Sequence, residues 1–115
     1  MLLTLFVSAS YSQDNDKKLK DNFLYGEYYL TNHLYRDALP FFLSIHQRDS
    51  LNANINYKIG KCYINIRGEK LNSIPYLETA SKNITAKYIN GKYETESAPI
   101  EALMLLGEAY QRNNE

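Results

Sequence analysis

Apolar side chains recur at steps of three and four residues along most of the chain, which is the spacing of helices that bury one face. The pattern begins near Lys17 and is interrupted by polar segments at 31–33, 48–54, 67–72 and 88–97. The sequence therefore predicts five helices. No part of it shows the sustained two-residue alternation of a half-buried β-strand, so the predicted fold class is all-α.

Glycine, serine and proline positions refine the predicted boundaries. Asn90-Gly91 is a turn signal within the last polar segment. Ser97 is predicted to cap the fifth helix, because a serine side chain accepts a hydrogen bond from the first turn. Pro40 and Pro75 are predicted to lie in the first turns of the second and fourth helices, where a missing N–H costs no intrahelical hydrogen bond.

Three short strings share one order: an apolar residue, glycine, a charged residue, any residue and tyrosine. They are YGEYY (25–29), IGKCY (59–63) and LGEAY (106–110). Gly26 and Gly60 are separated by 34 residues, and the segments that follow them, 37–45 and 72–80, also correspond. The third string comes 47 residues after the second. The last polar segment therefore contains an insertion or a lengthened helix.

The repeated glycines predict close contact between paired helices. A glycine inside a helix costs roughly 1 kcal/mol relative to alanine, which is offset if the missing side chain lets a second helix approach. We expect Ala38 to face Gly26, with Ser73 in the equivalent place facing Gly60. No single pair of helices buries its own apolar face, so the pairs are expected to stack. The predicted packing residues are Gly26, Tyr29, Ala38, Gly60, Tyr63, Ala80, Gly107 and Tyr110.

From about Lys18 to Asn113 the chain resembles the tetratricopeptide repeat family, whose 34-residue repeats are pairs of antiparallel helices. The resemblance implies a repeat domain over 17–115 that stacks about two and a half repeats as a short superhelix. The implied repeats are 19–51, 52–87 and an incomplete 97–115. The chain departs from the family where Ser73 replaces the usual alanine and where the proline after the second helix is missing.

In this family the first helices of the pairs line a concave groove that binds an extended peptide or a loop of a partner. The resemblance therefore implies a non-catalytic protein–protein interaction scaffold. The implied groove residues are Phe23, Glu27, Leu30, Tyr57, Lys61, Ile64, Met104, Glu108 and Arg112. A passive structural spacer in an envelope-anchored protein and a cytosolic adaptor are the alternatives. The incomplete last repeat is a candidate site of self-association.

The N-terminus combines a short apolar run with small residues, ahead of a charged segment. This order is similar to the end of a secretory signal peptide over 1–12, although no Lys or Arg precedes the apolar run. The alternative is an apolar first turn that packs on the domain. Together with this N-terminus, the strings ALPFF, SIPYL and SAPIEALMLLGEAY make the chain resemble the N-terminal repeat region of Bacteroidetes OmpA-family periplasmic proteins. Some of those proteins belong to type IX secretion machinery. That resemblance implies a periplasmic, outer-membrane-associated protein with a partner in an envelope complex.

Composition narrows the function classes. Lys+Arg and Asp+Glu both number 13, so the chain lacks the basic surplus that nucleic-acid binding needs. Cys62 is the single cysteine, so no internal disulfide or thiolate cluster can form. The apolar run is too short to span a membrane. Because no phosphate-binding or nucleophile motif is present, we expect no enzymatic activity, no cofactor and no metal.

Overall fold

The computed structural model describes the backbone of residues 2–113 and the side chains of residues 13–111. Within this part of the chain all regular elements are helical, which confirms the predicted all-α class. The α-helices are α1 (Leu2–Thr31), α2 (Tyr35–His46), α3 (Ala53–Ile64), α4 (Ser73–Ala80) and α5 (Glu101–Asn113), and a 3₁₀ turn at Lys70–Asn72 precedes α4. The predicted signal peptide, 1–12, lies outside the residues whose side chains are described.

Membrane-spanning helices need about 20 apolar residues in sequence. Among the residues that the structure describes, no helix combines the length and the apolar character needed to cross a bilayer.

The pairs α1–α2 and α3–α4 are antiparallel hairpins with equivalent internal contacts. In the first hairpin, the ring of Tyr29 stacks on that of Phe41 with centroids 5.7 Å apart. In the second, the rings of Tyr63 and Tyr76 occupy the equivalent places, 5.6 Å apart. Each of these two predicted packing tyrosines therefore contacts an aromatic residue on the second helix of its own hairpin.

Both hairpins also contain a close contact at the glycine. A Cβ atom on Gly26 would lie 2.8 Å from the ring of Phe42, and one on Gly60 would lie 2.5 Å from Leu77. Both distances are well below the optimal carbon–carbon separation of about 3.5–4.0 Å, so a larger residue would force a rearrangement. The nearest neighbour of a Cβ atom on Gly26 is the ring of Phe42, and Ala38 is fully buried one turn earlier in α2.

The third glycine has a different environment. α5 packs against α3 and α4, and it buries Ala102 in a cluster that includes Ala80. A Cβ atom on Gly107 would have no neighbour within 4 Å, and Tyr110 is 43% exposed. α5 thus has one face in the core, the space over Gly107 is open in the described part of the chain, and the Tyr110 side chain hydrogen-bonds to Glu78 of α4.

α3 is the central helix, because every residue from 53 to 60 is buried. Its first turn is capped by Asn52, whose Oδ1 accepts the Ile55 N–H at 3.1 Å. The main apolar cluster joins α3 to the first hairpin, and its buried members are Phe23, Ala38, Phe42, Ile45, Ile55, Ile59 and Cys62.

The segment 81–100 between α4 and α5, called the insertion below, folds back over α3 and α1. Its ends are tied together, since Ala98 donates its N–H to the Asn83 carbonyl and accepts the Thr85 N–H, each at 2.9 Å. In its middle Gly91 has a φ of +77°, which agrees with the predicted turn. The ring of Tyr93 in the insertion contacts the ring of Phe23 on α1, with centroids 5.8 Å apart.

Two predicted boundary details are wrong. Ser97 does not cap α5, because α5 begins at Glu101 and the residue after Ser97 is paired with Ile84 in an isolated parallel bridge. Pro40 lies inside α2, which begins at Tyr35, and is not in the first turn.

Candidate functional site

A cavity of about 410 Å³ opens between α1, α3, the insertion and the start of α5. We call it the α1–α3 cavity. The residues that line it are Glu27, Leu30, Thr31, His33, Tyr35, Tyr57, Lys58, Lys61, Tyr88, Asn90, Pro99 and Glu101. Both hairpins and the insertion therefore contribute to one concave surface.

Four of the predicted groove residues meet in this cavity: Glu27, Leu30, Tyr57 and Lys61. Glu27 and Lys61 follow the glycines of the first two strings, so they occupy equivalent positions in α1 and α3. Equivalent positions of the two strings thus place two opposite charges in the same concavity.

The structure places the other predicted groove residues elsewhere. Phe23 is fully buried, because Phe42 and Tyr93 cover its ring from two sides. Ile64 is buried against Leu77 of α4. These side chains belong to the core, and only a small edge of Ile64 reaches the surface.

α5 contributes only Glu101 to the α1–α3 cavity. Met104 is 71% exposed and is absent from the lining. Glu108 lines a different cavity, together with Ile64 and Lys70. Arg112 lies outside the residues whose side chains are described. The groove implied over three helices is therefore limited to α1, α3 and the beginning of α5.

A buried ion pair forms the floor of the cavity. Lys58 Nζ lies 2.6 Å from Glu27 Oε1, and the two side chains are 1% and 14% exposed. Lys58 Nζ also donates to Asn90 Oδ1 at 3.2 Å and lies 5.6 Å from the centre of the Phe23 ring. Burial lowers the pKa of Lys58, and the neighbouring Glu27 carboxylate opposes that shift. The ion pair links α1 to α3, and the hydrogen bond to Asn90 connects Lys58 to the insertion.

A second, more accessible ion pair lies at the rim. Lys61 Nζ is 3.3 Å from a Glu101 carboxylate oxygen, with side chains 31% and 42% exposed. The Tyr57 hydroxyl donates to the other oxygen of that carboxylate. Burial and this carboxylate both raise the pKa of Tyr57, so its hydroxyl stays protonated at neutral pH. The rim can therefore exchange polar contacts with a ligand, whereas the floor cannot move without breaking a buried pair.

The insertion closes one side of the cavity by a specific hydrogen bond. The Tyr88 hydroxyl donates to Asn54 Oδ1 at 2.6 Å, and Asn54 is fully buried. The Asn54 backbone N–H donates to the Glu96 carbonyl at 3.2 Å. Burial also raises the pKa of Tyr88, which keeps the donor protonated. The insertion is thus held on α3 by both backbone and side-chain contacts.

The sequence pattern marked 88–96 as a separate candidate contact and did not place Lys58, Tyr88 or Asn90 in this cavity. Lys58 lies one residue before the apolar residue of the second string, where a charge on a helix is usually solvated. The sequence carried no signal of its burial, since Asn54, Lys58, Lys61 and Asn65 recur at steps of three and four residues, as the polar residues of a solvated helix face do.

Cys62 is a core residue. It is fully buried, and burial raises the pKa of its thiol to about 12. The thiolate is the reactive form of cysteine, and almost none of it exists at neutral pH with such a pKa.

The described residues contain no group of three or more His, Cys, Asp or Glu side chains arranged to hold a metal ion. Comparison of the chain with protein-family models, with curated proteins and with solved structures gave no match.

Proposed function

We propose that the chain is a non-catalytic scaffold of the tetratricopeptide type that binds an extended segment of a partner protein in the α1–α3 cavity. One observation supports this above the others. Equivalent positions of α1 and α3 converge on a single concavity of about 410 Å³ with an accessible charged rim. The two hairpins with matching glycine and tyrosine contacts support the repeat relationship.

The ligand chemistry follows from the lining. The buried cation Lys58 is neutralised by Glu27, and the rim cation Lys61 by Glu101. With Leu30 and aromatic rings beside these pairs, the cavity suits an uncharged or mixed segment whose backbone can hydrogen-bond to the rim.

Selection of peptides from a random phage-displayed library, with the full chain as bait, tests this function. We expect Lys61→Glu to lower the affinity of the selected peptides about tenfold or more, because it replaces the ammonium at the rim by a second carboxylate beside Glu101. Its effect on folding is expected to be small, since half-exposed ion pairs contribute about 0–1 kcal/mol. Lys82→Glu is the matched control, because Lys82 is exposed and lies outside the cavity lining.

A passive spacer is the competing function, and the insertion favours it. Contacts of Tyr88 and Asn90 with α3 fill part of the concave face with the chain's own residues. A spacer predicts that selection yields no peptide, or peptides that bind the Lys61→Glu and Lys82→Glu variants equally well. Either result would contradict the scaffold.

We further propose export to the periplasm and association with the outer membrane. The support is the apolar N-terminal run followed by a charged segment. N-terminal sequencing of the protein isolated from its native cells is expected to begin at Gln13. A mature protein that retains Met1 would instead support a cytosolic adaptor.

A further inference from the structure

The turn of the insertion contains the Asn90-Gly91 pair, in which the asparagine side-chain amide can react with the backbone nitrogen that follows it. Glycine has no side chain to shield that nitrogen. Both residues are exposed, and Gly91 has a φ of +77°. Among the described residues no acceptor receives the Gly91 N–H. The nitrogen can therefore approach the neighbouring amide, and water can reach the product.

A cation holds the side-chain carbonyl of Asn90. Lys58 Nζ donates to Asn90 Oδ1 at 3.2 Å, and the Tyr88 hydroxyl lies 3.5 Å from the same oxygen. Attack on this carbonyl turns its oxygen into an oxyanion, and a donor that already contacts the oxygen stabilises the new charge. Because the Lys58 side chain is only 1% exposed, little water screens its ammonium. Lys58 therefore favours attack on Asn90.

A carboxylate lies next to the Gly91 backbone. Glu27 Oε1 is the oxygen that pairs with Lys58 at 2.6 Å. The other oxygen, Glu27 Oε2, would lie 3.7 Å from a Cβ atom on Gly91. This places it beside the residue whose nitrogen must lose a proton during the attack. A carboxylate so close to the reacting N–H can accept its proton as a general base.

We propose that these groups convert Asn90 to aspartate and isoaspartate within the folded chain. The Gly91 nitrogen attacks Asn90 Cγ and passes its proton to Glu27, while Lys58 holds the oxyanion that forms. The bond between Cγ and Nδ2 then breaks, and Nδ2 leaves as ammonia with the proton from Glu27. Water opens the resulting cyclic imide at either carbonyl, which gives aspartate or isoaspartate. Water is the only co-reactant.

The reaction adds a carboxylate to the α1–α3 cavity. Asn90 lines that cavity, and its Oδ1 is already a partner of Lys58. After the conversion Lys58 is shared by two carboxylates, and the floor of the cavity gains one negative charge. The loss of ammonia makes this change irreversible. The reaction needs no partner protein, so it is independent of the proposed peptide binding.

Peptide mapping measures the reaction directly. The purified full chain is incubated at neutral pH, and trypsin then releases residues 88–92, which contain Asn90, for mass spectrometry. A synthetic peptide of residues 84–96 is incubated in parallel, because it carries the same Asn-Gly pair without Glu27 and Lys58. We expect the folded chain to react about fivefold faster or more than the peptide. A folded chain that reacts at the rate of the peptide, or more slowly, would overturn the proposal.

Glu27→Gln separates this reaction from simple flexibility of the turn. The variant keeps the size of the side chain and removes the base, so we expect the rate to fall to that of the free peptide. A fold that only restrains the turn predicts the opposite sign, since loss of the ion pair would loosen the insertion and speed the reaction. A faster reaction in Glu27→Gln would therefore contradict the proposal.

The fold of this variant is checked by circular dichroism. If the single variant is unfolded, the double variant Glu27→Leu with Lys58→Met takes its place, because it removes both charges and leaves neither one unpaired. Its rate is also expected to fall to that of the peptide. A rate equal to that of the wild-type chain would show that the two charges do not act on Asn90.

Two controls lie in the same insertion. Glu94→Gln removes an exposed carboxylate and is expected to leave the rate unchanged. Asn83 is exposed too, but it is followed by Ile84, whose branched side chain shields the backbone nitrogen. Trypsin releases it in residues 83–87, where its amide is expected to persist. Equal conversion of Asn83 and Asn90 would indicate a general instability of exposed asparagines and would overturn the proposal.

Discussion

Replacement of Glu27 by alanine is expected to lower the free energy of unfolding by about 3–5 kcal/mol. The variant leaves the Lys58 ammonium in a site where only 1% of its side chain is exposed. The remaining partner, Asn90 Oδ1, is uncharged and 3.2 Å away, so it cannot replace a carboxylate. Urea denaturation followed by circular dichroism at pH 7 measures the loss.

The comparison that tests the mechanism is Glu94→Ala. Glu94 also pairs with a lysine, Lys20, at 3.6 Å, but the two side chains are 53% and 57% exposed. An exposed pair contributes about 0–1 kcal/mol. The double variant Glu27→Leu with Lys58→Met removes both buried charges and is expected to recover most of the loss. If Glu27→Ala costs no more than Glu94→Ala, the buried pair does not stabilise the fold as described.

The pH dependence has a defined sign. The pKa of Lys58 is lowered in the folded protein from the ordinary lysine value of 10.5, chiefly by burial. Between the lowered and the ordinary pKa the unfolded chain binds more protons at this site, so this site's contribution makes stability rise with pH in that window. Without Glu27 the pKa falls further and the window widens towards neutral pH. The loss caused by Glu27→Ala should therefore shrink with rising pH, measured below about pH 9 because exposed tyrosines ionise near pH 10.

The helices and their pairing were predictable because they depend on local patterns. Apolar spacing and the repeated strings located the helices, and Gly26 and Gly60 identified the hairpin contacts. The buried pair between Glu27 and Lys58 was not predictable in this way. The two residues are 31 positions apart. The residues next to each of them form no pattern that predicts a buried side chain. Their contact depends on how the two hairpins stack.

The insertion was the least predictable segment for a related reason. Its polar composition is typical of a solvated loop. Tyr88 and Tyr93 nevertheless attach it to Asn54 and Phe23, which lie on different helices. A tyrosine has a large apolar surface and a polar tip, so it can anchor a polar segment without any periodic pattern. The same anchoring explains why Phe23, predicted for the groove surface, is covered.

Replacement of Phe42 by alanine is expected to lower the free energy of unfolding by about 3–5 kcal/mol, the cost of truncating a buried aromatic residue. Phe42 is fully buried and meets the ring of Phe23 edge-on, with centroids 6.2 Å apart. Leu51→Ala is the control, because Leu51 is 82% exposed, and its effect should stay within about 0.5 kcal/mol.

A double-mutant cycle with Gly26→Ala then tests the contact that defines the hairpin. In the wild-type background the added Cβ atom lies 2.8 Å from the Phe42 ring, so the variant is expected to be destabilised by about 1–3 kcal/mol of overpacking, less the helix propensity gained. In the Phe42→Ala background the obstruction is gone, and Gly26→Ala is expected to stabilise by roughly 1 kcal/mol. The sign of one substitution thus depends on a residue 16 positions away. Equal effects in both backgrounds would show that Gly26 is not retained for contact with Phe42.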